Sequence, residues 1–275
     1  MSTKTLRNNL DKIHGLRYIV EHLDLHSGLA KRLLLSLPFI TDKTLLDREF
    51  SNIEETLNSI KSSNSASIIP EVCIKLGQLH DIQGTIRRIS SKEILDDVEL
   101  FEVKRFAMLC QNISILVEPL KLLFFQLPSL QEVIDLLDPD KQRVPHFYIY
   151  SSYSQELLLL REKAKQLQAS HPEEAEKTHF AAVELEDRIR QKLSLQLQPY
   201  VSLLEISLQS VAYLDLVIAK AKQVIDLGLV KPEISEESTY YKGLFNPQVK
   251  EVLAVRDKTF QPIDIQLFKS PCLIT

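Results

Sequence analysis

The run PEEAEKTHFAAVELEDRIRQKLSLQLQPYVSLLEISLQSVAYLDLVIAKAKQVIDLG, residues 172–228, decides the fold. Phe180, Val183, Leu185, Ile189, Leu193, Leu197, Val201, Leu204, Ile206, Leu208, Val211, Leu214, Val217 and Ile218 recur at helical spacing. Such a pattern held from Glu173 to about Asp226 is more than fifty residues, or ~80 Å of helix at ~1.5 Å per residue. Pro199 is placed to kink it, and Gly228 to cap its end. Acid–base pairs such as Glu184 with Arg188 suit one wet face. Upstream, a serine at 151, 152 or 154 caps another long helix over about 153–169. Ser170-His171-Pro172 is a tight break, with Pro172 at the first helical position of the next helix. The two helices therefore form an antiparallel hairpin.

Working towards the N-terminus, residues 4–37 read as helix in two pieces, broken at Asp24–Gly28, with Ser27 capping the second. Pro38 ends that piece, and Thr41 or Asp42 caps the next, which carries Leu45, Leu46, Phe50, Ile53, Leu57 and Ile60. Lys61 to Ser67 is a polar loop. Helices follow over 70–90 and 94–118, and Pro119 and Pro128 cut the chain into short helices up to Leu137. Phe147-Tyr148-Ile149-Tyr150 is β-prone and predicts a small hairpin strand. Tyr148, Tyr150 and Tyr153 read as core packing at the base of the long hairpin.

Beyond Gly228 the composition changes to Pro232, Pro247, Pro262 and Pro271, acids and short β-prone runs. Ile263, Ile265 and Leu267 alternate with polar residues as a half-buried strand. After the turn Lys269-Ser270-Pro271, the apolar Cys272-Leu273-Ile274 starts a second strand that has little to pair with before Thr275. The expectation is a chain interrupted just before a Gly-rich phosphate loop. The fold class is thus mainly α: a multi-helix core over 1–150, a long lever hairpin over 151–227, and a short β-containing segment over 228–275.

The totals agree with a globular protein: 44% hydrophobic and 25% charged residues. Only 6 glycines in 275 residues favour helix over sheet. A net charge of −4 supplies no global basic field for nucleic acid. Three dispersed cysteines, Cys73, Cys110 and Cys272, indicate reduced thiols and a cytoplasmic setting. No apolar run approaches the ~20 residues of a membrane span, and Met1–Asn9 lacks a signal peptide's apolar region. The sequence holds no GxGxxG and no GxSxG. His22 and His26 have metal-compatible spacing but no third ligand, and read as two exposed histidines. Glu173-Glu174 and Asp96-Asp97 read as helix starts, where carboxylates suit the dipole. Lys31-Arg32 and Arg87-Arg88 read as paired surface charges.

Several stretches, in order, resemble the MutS family of DNA mismatch repair proteins. Leu25-His26-Ser27-Gly28 through Pro38 is similar to the family's "T-x-x-G-x-R-L-L-x-x-W-L-x-x-P" segment, and Ile40 through Phe50 to its "D-x-x-x-I-x-x-R-Q/H" helix. Leu79 through Ile89 resembles "D-L-E-R-I-L-x-R-I", with Gln83 in place of the acid. Ala212 through Ala221 resembles the "x-L-D-V-L-x-S-L-A" end of the lever helix. Phe245-Asn246-Pro247 stands where the family has "R-H-P", and Phe260–Thr275 resembles the run into the "G-P-N-M-x-G-K-S/T" phosphate loop.

The resemblance implies the core and lever region of a DNA-binding ATPase, transmitting ATP-driven change to DNA or a partner. It places Phe260, Pro262 and Ile263 at the adenine. ATP and magnesium are expected in the full-length protein and neither in this chain alone, which lacks the phosphate loop and the magnesium-binding acids. A homodimer through the missing ATPase domain, DNA as the partner and no membrane complete the expectation. The family's clamp is replaced here by Ser170-His171-Pro172, and no Phe-x-Glu mismatch wedge occurs. The alternative is a non-enzymatic helical scaffold with the hairpin as a docking arm. A standalone nucleic-acid binder is disfavoured by the charge.

Overall fold

Several helices in this chain start at a side chain that caps them. In the computed structural model, which describes residues 5–13, 15–62, 67–144, 146–234 and 238–268, the protein is mainly helical with one two-stranded antiparallel sheet near the C-terminus. Contacts divide it into two compact units. One comprises residues 1–25, 31–63 and 216–275, the other residues 26–30 and 64–215.

In the first unit, α1 (Leu16–Glu21) begins at Gly15, whose φ of +79° needs a glycine. Most of α2 (Gly28–Ser36) follows, then α3 (Lys43–Lys61), whose cap Asp42 accepts the Leu45 N–H at 2.9 Å. The C-terminal part of α10 (Val201–Leu227) also lies in this unit, with Leu216, Val217, Ile218, Ala219 and Ala221 all at 0% exposure. The turn Leu216–Ala219 is apolar on every face and is covered all round. Polar ties hold α10 to α1 and α3: Gln223 Nε2 donates to the Ile19 carbonyl at 2.8 Å, and Lys220 pairs with Glu49 at 3.2 Å. Gly228, at φ +66°, ends α10, and the Leu229 N–H reaches back to the Val224 carbonyl. The first predicted helix is shorter than its apolar spacing implied. Residues 5–13 instead form turns, with the Leu6 and Arg7 N–H groups donating to the Leu37 and Leu35 carbonyls.

In the second unit, Ser27 caps the start of α2 by accepting the Ala30 N–H at 3.1 Å. The helix expected over 70–90 is two, α4 (Ile68–Gly77) and α5 (Gln83–Ser90). The Asp81 carboxylate accepts the Gln83 N–H at 3.0 Å, a local bond that competes with continued helix and starts the second piece. A capping box, Asp96 with Glu99, opens α6 (Asp97–Val117), and α7 (Gln131–Leu137) follows the proline-rich stretch. Residues 147–150 form no strand. Extended pairing needs a neighbouring strand, and the described residues offer them none. Instead Tyr150 is fully buried, 4.5 Å from the Tyr148 ring and 5.9 Å from that of Tyr153.

Ser154 caps α8 (Gln155–Leu167), which turns at 168–171 into α9 (Pro172–Gln196). These two helices pack together as the antiparallel hairpin, Arg161 opposite Glu186. Pro199 sits in a short 3-10 turn, Gln198–Tyr200, where α9 gives way to α10. The helical run Pro172–Leu227 holds an 18-residue window of mean hydropathy 1.6, apolar enough by composition to cross a membrane, with 56% of that window buried inside the protein. This corrects the expectation that no run has that character.

Candidate functional site

The predicted site residues lie in the first unit, where the chain beyond Gly228 folds as β1 (Thr239–Leu244), α11 (Pro247–Val255) and β2 (Ile263–Leu267). The strands pair antiparallel with Thr239 opposite Leu267, Tyr241 opposite Ile265 and Leu244 opposite Ile263. A bulge between Tyr241 and Leu244 is formed at Gly243, whose φ of +65° suits glycine and whose N–H donates to Asp264 at 2.6 Å. Asn246 caps α11 by accepting the Val249 N–H at 3.2 Å, and Pro247 occupies the first helical turn. At the far end Asp257 adopts φ +54° and the Lys258 N–H returns to the Leu253 carbonyl, turning the chain back towards β2.

These turns bring Phe260, Gln261 and Ile263 beside Leu244, Phe245, Asn246 and Pro247. Leu16, Tyr18 and Ile19 of α1 form the opposing wall. The cavity is about 560 Å³, within the range of small-ligand sites. Phe260 is half-buried, whereas Ile263 and Pro262 are exposed, and Pro262 is not among the lining residues. The Tyr18 hydroxyl donates to the Glu251 carboxylate at 2.6 Å, tying α1 to α11. That bond, more than burial, raises the phenol above its usual pKa. Lys250 Nζ lies 4.7 Å from the centre of the Phe245 ring. The walls offer aromatic and aliphatic surface with a carboxamide at the edge. Chemically this suits a flat, weakly polar group; among the described lining residues no nucleophile–base pair is present. Asn246 has its side-chain oxygen committed to capping α11.

Sequence reading missed Tyr18 and Glu251. Their spacing of 233 residues gives no local signal.

A second polar cluster lies in the other unit. Asp215, at 0% exposure, accepts the Ser27 N–H and hydroxyl at 2.7 Å each and the His26 N–H at 3.2 Å; His26 Nδ1 also lies 3.2 Å away. Ser27 and His26 bond to different oxygens of one carboxylate, and not to each other. The geometry orients a helix start and does not activate a nucleophile. His26 is therefore half-buried against Asp215, whereas His22 is exposed at the end of α1 with Nδ1 2.7 Å from the Tyr18 carbonyl. The reading of both as exposed histidines holds only for His22. Among the described residues no group of three or more His, Cys, Asp or Glu could hold a metal. The turn 269–271 and the strand expected at Cys272–Ile274 lie outside the described residues. No family model matches the chain, and no curated protein matches it.

Proposed function

We propose that this chain is the core and lever region of a MutS-like DNA-binding ATPase, carrying ATP-driven change to DNA or a partner. The observation that carries the reading is the helical run from the hairpin through Pro199 into α10, whose residues Val201–Asp215 belong to one unit and Leu216–Leu227 to the other. A long helical element is what a lever requires. Two further observations support it. The Leu25–Pro38 and Ala212–Ala221 stretches, which carry the resemblance, meet at Ser27 and Asp215. Phe260 and Ile263 share a cavity with Asn246 and Pro247.

In this reading Phe260 offers its ring to adenine, with Ile263 beside it and Pro262 further out. The phosphate loop and magnesium-binding acids would follow Thr275. ATP and magnesium belong to that longer protein, as does the homodimer, and the setting is cytoplasmic. The coding sequence past Thr275 tests the proposal: a Gly-rich loop ending in Gly-Lys-Ser or Gly-Lys-Thr supports it, and a stop codon overturns it.

A docking-arm scaffold is the second reading. Leu159 and Phe180, on the hairpin, are 57% and 60% exposed, an apolar surface that suits a partner better than water. Capture of one partner by the hairpin without any effect of ATP would favour it.

A further inference from the structure

The hairpin is packed unevenly along its length. Near its base Leu157, Ile189, Leu193 and Leu197 are buried. Between Glu162 and Leu185 only Ala175 and Ala182 are buried, with Ala164, Leu167, Thr178 and Leu185 half-buried, so the outer part is thinly packed. At the changeover lies a chain of charges. Arg161 of α8 donates to Glu186 of α9 from Nη2 at 2.7 Å and Nε at 3.2 Å. The same guanidinium donates from Nη1 to the Ser151 hydroxyl at 2.9 Å and from Nη2 to the Ile149 carbonyl at 2.7 Å. Glu186 continues to Arg190 at 3.8 Å. Arg190 grips Asp97, the first residue of α6, through Nε at 2.8 Å and Nη2 at 3.1 Å, and also holds Asp187. One turn further, the Ser194 hydroxyl accepts the Leu95 N–H at 2.9 Å.

We infer that the chain Arg161–Glu186–Arg190–Asp97 is an ionic latch that fixes the outer hairpin to the helical body, and that opening it frees residues 162–185 as a unit while the body stays folded. The inference stands apart from the ATPase reading, since every contact lies within one unit. Local opening is governed by the few contacts that a segment makes. Here those contacts are two buried alanines, four half-buried side chains, and one forked guanidinium that holds both helices and the 149–151 segment at once. Arg161 and Glu186 keep 31% and 20% side-chain exposure, so electrolyte reaches them and screens the pair.

Amide hydrogen exchange on the full chain tests this. In Arg161→Met, amides of 162–167 and 173–185 should exchange roughly tenfold faster, with those of α6 unchanged. Wild type should show faster exchange in the same segment on going from low to molar chloride, and Arg161→Met should show no further response to salt. Arg161→Lys keeps the charge but loses the fork, and should fall between the two. It also supplies the comparison if the methionine variant does not fold. Unchanged exchange in the outer hairpin, equal acceleration in α6, or the same salt response in variant and wild type would each overturn the latch.

Discussion

The buried carboxylate of Asp215 accepts both the hydroxyl and the backbone N–H of Ser27, each at 2.7 Å, across 188 residues of sequence. One side chain thereby holds the Ser27 cap of α2 and fixes that start against α10. Removing it strands several donors in an apolar interior, at a cost of about 3 kcal/mol. Urea denaturation of Asp215→Ala should show that loss with an unchanged slope. Ser27→Ala, which removes the hydroxyl that also caps Ala30, should cost about 1 kcal/mol. A loss below about 1 kcal/mol in Asp215→Ala would show that the contact does not hold the helix start.

Lys104 is a second buried charge, at 0% exposure in α6. Its Nζ donates to the Tyr150 hydroxyl at 3.0 Å and the His146 carbonyl at 3.1 Å, and stands 3.7 Å from Asp138. Burial lowers its pKa, and Asp138 opposes that shift. Lys104→Met keeps the stem but leaves Asp138 buried without its cation, so it should destabilise by about 3 kcal/mol in the same assay. Equal stability would mean that the carboxylate finds another partner.

Tyr150 titrates late. Burial, reinforced by Asp138, pushes its hydroxyl up to about 12 from 10.0. The unfolded chain therefore loses this proton first. The stabilisation is complete below pH 10.0, and falls as pH rises through about 12. Stability measured across that window should decline more steeply in wild type than in Tyr150→Phe. Parallel curves would contradict the assignment.

Cys73 and Cys110 are both buried and in no disulfide, and burial pushes the Cys110 thiol far up. Only the thiolate reacts. Peptide mapping after iodoacetamide at neutral pH should find both unmodified in the native protein and both modified in urea. Native labelling of Cys110 would show that α6 opens locally.

Much of the helical framework was legible because capping is local chemistry. Asp42, Ser154, Pro172 and Gly228 each act within a few residues of themselves. The break at Asp81 was missed because a carboxylate that bonds two residues ahead looks, in sequence, like a polar position on a helix. Phe147–Tyr150 reads as a strand because β-propensity reports a side chain that fits a half-buried surface, and here Tyr150 is buried against Lys104 of α6. Arg161 reads as a surface charge, and its role depends on a residue 25 positions away. Phe260 and Ile263 were named from the resemblance. Their wall of Leu16, Tyr18 and Ile19 is contributed by the opposite end of the sequence, and no local pattern announces it.

In the polypeptide extended past Thr275, Phe260→Ala should raise the KM for ATP several-fold with little change in kcat, as expected for the loss of about 1 kcal/mol of aromatic stacking. Steady-state hydrolysis measures this. An unchanged KM would contradict the proposed stacking of Phe260 on adenine.

The most direct measurement is DNA binding by that extended polypeptide with and without ATP and magnesium. A lever driven by nucleotide predicts that ATP changes DNA affinity at least several-fold, and that Pro199→Gly, which loosens the joint between α9 and α10, weakens this change while ATP hydrolysis continues. Identical DNA affinity with and without ATP, in a protein that hydrolyses it or in one that does not, would contradict the account.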